Sequence, residues 1–427
     1  MPKVNKYILP EKWVTYIQLF WGVWFVCMMI FTKYGTSMSI IGFAVLGFYA
    51  VVTHFSLPAG EYFSKCFSVN NRSLGFLALT LVFWITVIGF FNSDNTQYWL
   101  SRVRIRLPFL ALPVVFYWIP WNNRQKRIIV LTAMLMMFFS STYVAVRYLL
   151  HYQEMNEMLG RGTPIPVPMS DHVRYAQLQA YIILSGVYWL LKDRSLHKMI
   201  KIIGWCSIVM MFFYIHLLAV RSGILVVYCG LLVFLVLNLK KISLPVLLVI
   251  VASFVATGFF SVQYIPSLAQ KLSYMKWQYR QLQEGKTIES SDSGRWSSYD
   301  IGRKLYRSSP AFGIGPGDMD DLVKKMYAKY YPTEKNAKQP HNQFLHTLTG
   351  SGYIGLGIFL ALWVAVLWFG FHYHNKILIT MVFATFAAFM VESPLETARG
   401  TAIIAFWLSF WMAEGIPPDK LFRIQSA

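Results

Sequence analysis

Apolar stretches of roughly 17 to 25 residues recur from one end of the chain to the other, each long enough as a helix to cross about 30 Å of hydrocarbon. Only short polar turns separate most of them. About twelve such windows stand out, near 13–31, 37–55, 74–91, 107–120, 128–150, 176–191, 200–220, 223–239, 244–262, 344–371, 376–392 and 401–415. With 56% hydrophobic and 14% charged residues, the chain cannot keep one wet surface around a single core. It reads as an all-α polytopic membrane protein with about twelve transmembrane helices. The first window is longer than a signal-peptide core and lacks a small-residue cleavage site, so it reads as an uncleaved span. In the fourth, Pro108, Pro113 and Pro120 predict a short or kinked helix.

The formal charge of +20 does not point to nucleic acid, because the basic residues flank apolar windows, where anionic lipid headgroups are the natural partner. With a cytoplasmic N-terminus, 17 Lys and Arg fall inside, nine in the short outer loops and span ends, and 13 in one long loop. Long loops are exempt from the positive-inside rule, so the count favours both termini in the cytoplasm. The chain then divides into nine helices over 1–264, a helical outer loop over 265–343, and three helices over 344–427. None of the four cysteines, Cys27, Cys66, Cys206 and Cys229, lies in that loop, and each reads as a small apolar residue rather than half of a disulfide.

Two outer segments admit more than one reading. Arg102, Arg104 and Arg106 alternate in SRVRIR, as interfacial arginines or as a patch for lipid phosphates. Residues 151–175, with three prolines in five positions, read as an irregular loop over the outer face.

The 80-residue loop carries the chemistry-bearing pattern. Helices are expected over Lys271–Gln283, Trp296–Tyr306 and Asp320–Tyr331. Pro310–Gly317, PAFGIGPG, reads as a tight turn or as a nest of backbone N–H groups for an anion. Asp318 reads as an N-cap with Asp320 and Asp321 in the first helical turn rather than as a metal site. The loop ends on His341-Asn342, and after nine residues comes Gly352-x-x-Gly355. A histidine at a loop-to-membrane junction suits general-base work near neutral pH, since free imidazole titrates near 6.5. Clustered glycines suit close helix packing in lipid.

His341-Asn342 with Gly352-x-x-Gly355 at this spacing resembles the pattern of bacterial O-antigen ligases, within a superfamily of membrane-embedded ligases and polymerases. Val220-Arg221-Ser222-Gly223 is similar to that family's short arginine turn, and Ser293-Gly294-Arg295 to its loop signature. The resemblance covers the whole chain, without the extra C-terminal domain of some protein-glycosylating relatives. It implies a GT-C type glycosyltransferase fold and metal-independent, inverting transfer without a cofactor. A glycan would move from undecaprenyl diphosphate to a sugar hydroxyl of the lipid A core, at the periplasmic face of the inner membrane, in lipopolysaccharide biosynthesis.

On that reading Arg221 and Arg295 bind and neutralise the diphosphate with forked donors. His341 is the base or the group that orients the acceptor hydroxyl. Asn342 holds the ring or a sugar, and Gly352 and Gly355 line the substrate site. Glu392 is a competing base or orients an arginine, Glu396 and Arg399 are spaced for a helical i, i+3 pair, and His216 is a core or supporting histidine. The alternatives are an O-antigen polymerase, with a lipid-linked glycan as acceptor, and a transporter of lipid-linked sugars. No internal repeat favours the transporter.

Overall fold

The computed structural model describes residues 9, 11–54, 71–119, 121–283, 293–334 and 336–414. Cys66, Pro120 and the basic residues Lys3, Lys6, Lys65, Lys420 and Arg423 lie outside them. The described residues are helical with no strand, in the order α1 (Glu11–Phe31), α2 (Lys33–His54), α3 (Asn71–Ile88), α4 (Thr96–Arg106), α5 (Pro108–Trp118), α6 (Asn123–Leu150), α7 (Tyr152–Gly160), α8 (His172–Lys192), α9 (Lys198–Leu217), α10 (Arg221–Val236), α11 (Leu244–Tyr264), α12 (Pro266–Gln283), α13 (Ser293–Ser308), α14 (Met319–Tyr330), α15 (Gln343–His372), α16 (Lys376–Val391) and α17 (Ala398–Met412).

Each of the twelve apolar windows falls on one of these helices. Among the described residues, five helical segments are long and apolar enough to cross a membrane: 12–31, 73–92, 123–150, 198–217 and 343–372. Four more apolar helices are shorter. The fourth window is indeed short, with Pro108 in the first turn of α5 and Pro113 inside it. Residues 151–175 are not wholly irregular, because α7 occupies their first third.

Packing explains why so apolar a chain takes one arrangement. In α17 every residue from Gly400 to Glu414 is buried, as expected of a helix that is apolar all round and sits at the centre of a bundle. Around it, Phe344, Phe359, Trp363, Phe386 and Phe389 interlock edge to face across α15 and α16. At one end, Lys126 and Lys192 meet on the buried carboxylate of Glu414, and Lys376 donates to Leu237 O and Asn238 Oδ1. Residues assigned by charge to the same side thus gather at one end of the bundle. The loop has its own small core of Ile301, Leu305, Ile314, Met319, Val323 and Tyr327.

The PAFGIGPG turn is built into the bundle and is not an anion nest. Gly352 breaks α15 with φ 65° and ψ −167°, a conformation essentially restricted to glycine. The break frees four backbone groups, and the turn takes all four. Ile314 and Gly315 donate to Thr349 O and Gly350 O at 3.0 Å, while Tyr353 and Ile354 donate to Pro310 O and Ala311 O at 2.9 and 3.2 Å. Gly313 N donates to Ser309 O and Gly317 N to Ser93 Oγ, so these N–H groups are not open to a ligand.

Gly352→Ala combines a forbidden backbone geometry with a Cβ 2.2 Å from Ala311 O. It should destabilise the protein by at least about 2 kcal/mol. The readout is the thermal midpoint in detergent, and a midpoint equal to the parent's would refute this account of the kink.

Candidate functional site

The turn between α9 and α10 delivers Arg221. Ala219 takes φ 51°, a strained value for a residue with a Cβ, and reverses the chain so that Arg221 opens α10. Gly223 lets α10 press onto α8, since a Cβ there would lie 2.4 Å from Ala176 Cβ. The first turn of a helix leaves backbone N–H groups without helical partners, and its positive dipole end favours an anion. Arg221 and Ser222 both face the resulting cleft.

That cleft encloses about 460 Å³, counting space open to solvent, and Arg221, Arg295, Lys271, His172 and Glu392 contribute its titratable walls. They come from five helices or helix ends far apart in sequence. Glu392 is the single carboxylate of the lining, set against three permanent or near-permanent cations. Its side chain is 8% exposed, and its Oε1 accepts from Arg295 Nη2 at 2.6 Å. Its Oε2 lies 3.3 Å from His341 Nδ1.

Burial opposes ionisation of Glu392. The hydrogen bond from His341 and the charges of Arg174 and Arg295 outweigh it and hold the carboxyl below the usual range. An ionised carboxylate only accepts, so His341 Nδ1 donates to it, and in the neutral form of the ring this leaves the lone pair on Nε2. His341 does not line the cleft itself. It stands behind Glu392 with a side chain 31% exposed. Helix α13 fixes both partners, because it carries Arg295 while Tyr299 OH donates to His341 O at 3.1 Å.

The remaining sequence candidates are used for packing. Asn342 caps α15, accepting from Leu345 N at 3.0 Å, and its amide donates to Met390 O at 3.0 Å, so one end of the side chain closes its own helix and the other ties it to α16. Gly352 and Gly355 are buried and absent from the cleft lining. Gly352 admits the 310–317 turn, and a Cβ on Gly355 would meet Ser351 Cβ at 2.1 Å. Gly352 thus gives room to a crossing backbone, and Gly355 to a side chain of its own helix. His216 is a core histidine, with Nδ1 2.7 Å from Phe212 O and Nε2 3.1 Å from Tyr228 OH. Asp318 does not cap α14 with its side chain; it accepts from Asp94 N and Asn95 N.

The expected Glu396–Arg399 pair is replaced by a longer-range one. Residues 394–396 form a 3-10 turn, and Glu396 turns to Arg106 at 2.5 Å, with Gln343 and His346 at 3.1 and 3.2 Å. Arg106 is therefore a buried ion-pair partner, while Arg104 remains exposed.

Burial would raise the Glu396 carboxyl, but Arg106 and His346 hold it down to about 2, against 4.5 for a free glutamate. Because the folded value is the lower one, the pairing stabilises fully above pH 4.5 and is lost as pH falls toward 2. The thermal midpoint should drop across that interval, and Glu396→Gln should flatten the drop. An unflattened curve would count against the pairing.

Lys271, His172 and Arg174 were not singled out from the sequence. The SDHVRY cluster at the mouth of an apolar helix was the available signal, since ionisable groups at membrane entrances usually have partners. Arg174, 5% exposed, donates to Thr397 Oγ1 at 3.2 Å.

The described residues thus form an all-helical apolar bundle whose open cleft gathers cations and ties one of them to a histidine through a carboxylate. Residues 206–360, a little over a third of the chain, match the family model described as O-antigen ligase. The matched stretch includes Arg221, Arg295, His341, Gly352 and Gly355, and Glu392 lies beyond it. No curated protein matches the chain.

Proposed function

We propose that the chain is an O-antigen ligase, a GT-C type glycosyltransferase of about twelve membrane spans with both termini in the cytoplasm. It moves a glycan from undecaprenyl diphosphate to a sugar hydroxyl of the lipid A core, at the periplasmic face of the inner membrane. The observation that carries this reading is the cleft in which Arg221 and Arg295 face one space and Glu392 links Arg295 to His341.

In the reaction the acceptor oxygen attacks the anomeric carbon from the face opposite the diphosphate. The carbon–oxygen bond to the diphosphate breaks, the configuration inverts, and undecaprenyl diphosphate departs. Arg221, Arg295 and the α10 N-terminus stabilise the charge that develops on the leaving group. His341 Nε2 receives the proton of the attacking hydroxyl. Charge on a departing diphosphate is often met by Mg²⁺. Here the arginines supply it, and the one carboxylate lining the cleft is already bonded to Arg295 and His341.

The test is reconstitution with undecaprenyl-diphosphate glycan and lipid A core, with and without a chelator. Glycosylated lipid A core that forms equally in both supports the reading. Absolute metal dependence overturns the arginine mechanism, and product only with a lipid-linked glycan acceptor identifies a polymerase instead.

A further inference from the structure

A second hollow lies beside the cleft and has no part in the steps above. It runs between α7 and α12, is lined by Tyr152, Gln153, Asn156, Glu157, Gly160 and Gln270 among others, and encloses about 1030 Å³ counting space open to solvent. No Lys or Arg lines it, although the chain carries a formal charge of +20. The cleft and the hollow use the same two helices one residue apart. Leu159 and Lys271 line the cleft, and their neighbours Gly160 and Gln270 line the hollow.

The side chains of this groove suit one kind of ligand. An amide both donates and accepts, as does each hydroxyl of a sugar, whereas a phosphate only accepts, and the one charged side chain of the lining is itself a carboxylate, Glu157, already paired with Arg161 at 3.7 Å. Gln153 and Gln270 are exposed, and Tyr152, 44% exposed, offers a ring face to the C–H side of a pyranose. The floor is fixed beforehand. Asn156 accepts from Tyr148 OH at 3.1 Å and donates to Tyr152 O at 2.8 Å, which locks the first turn of α7. A Cβ on Gly160 would lie 3.3 Å from Gln270 Oε1, so the Gln270 amide reaches across to the end of α7.

We propose that the α7–α12 groove binds the carbohydrate portion of a substrate, an uncharged oligosaccharide, while the cationic cleft next to it takes the diphosphate. The assignment of the diphosphate rests on the function proposed above. Charge and hydroxyl recognition are then divided between two adjoining surfaces, and the groove becomes the place where one glycan is preferred over another.

The probe is the lipid-free oligosaccharide released from the host strain's own lipopolysaccharide, with binding followed by thermophoresis on the full-length protein in detergent. Gln153→Ala combined with Gln270→Ala should weaken binding by about tenfold. Both side chains are exposed, so the fold is not at risk, and Arg221→Ala should bind the probe as the parent does. A parent protein that does not bind, a double variant that binds normally, or an equal loss in Arg221→Ala each overturns the proposal. Oligosaccharide binding without any transfer in the reconstituted reaction would sink the ligase reading and leave the sugar site standing.

Discussion

His341→Ala should lower kcat for glycan transfer by about 10²- to 10⁴-fold, the range associated with loss of a positioned acid–base group. Donor binding should be unchanged, because the cations that line the cleft are Arg221, Arg295 and Lys271. His341 touches the cleft only through Glu392, so its loss leaves the Arg295–Glu392 bond in place. The two roles open to this histidine then separate. His341→Gln keeps a donor toward Glu392 but has no lone pair able to take up a proton near neutral pH. Recovery of most activity in His341→Gln would mean that the ring orients the acceptor, and continued inactivity would mean that it accepts the proton. Near-normal transfer by His341→Ala would remove it from the reaction. The 3.3 Å separation from Glu392 is long for N–H···O, and contraction on substrate binding is a common feature of catalytic hydrogen bonds.

Much of this was legible in the sequence because local pattern carries it. Each apolar run falls on a helix, and amphipathic spacing located the three loop helices within a few residues, the first of which begins at Pro266 instead of Lys271. The His-Asn spacing marked the start of α15 and put His341 at the loop junction. What pattern does not tell is whether a motif residue faces a ligand or a backbone. Asn342, Gly352 and Gly355 belong to the same motif as His341, yet one is a helix cap, one admits the crossing 310–317 turn, and one makes room for Ser351 of its own helix. Long-range pairs were also hidden. Glu396 was assigned to Arg399 by i, i+3 spacing, but Pro394 starts a 3-10 turn and the partner, Arg106, lies 290 residues away. Glu392 was legible as an ionisable group near the outer end of a span, but its bonds to Arg295 and His341 cross 97 and 51 residues. The kink at Gly352 was masked by an apolar run that reads as one continuous helix.

Glu392→Gln should be nearly as damaging as the loss of His341, though the change is isosteric. A glutamine can accept from Arg295 with its oxygen, but its NH₂ would then face His341 Nδ1. That forces the imidazole proton onto Nε2, the nitrogen proposed above to receive the acceptor's proton. In enzymes where a carboxylate holds a histidine tautomer, the amide replacement costs about 10⁴-fold in kcat, and about 10²- to 10⁴-fold is expected here. The same change removes the larger of the two negative charges that act on Arg174, 5% exposed, and leaves only Asp171, so the thermal midpoint should fall as well. Glu392→Asp separates the two effects. It keeps the charge, and with it the midpoint and the tautomer, but shortens the reach to Arg295 and His341, so it should lose less of kcat than Glu392→Gln. Because the Glu392 carboxyl is held below the usual range, it stays ionised through mildly acidic pH, and its support for transfer should fail only as pH falls through that lowered value. If Glu392→Gln retains kcat close to the parent's at every pH, the carboxylate does not set the tautomer, and the link between the cleft and His341 is structural alone.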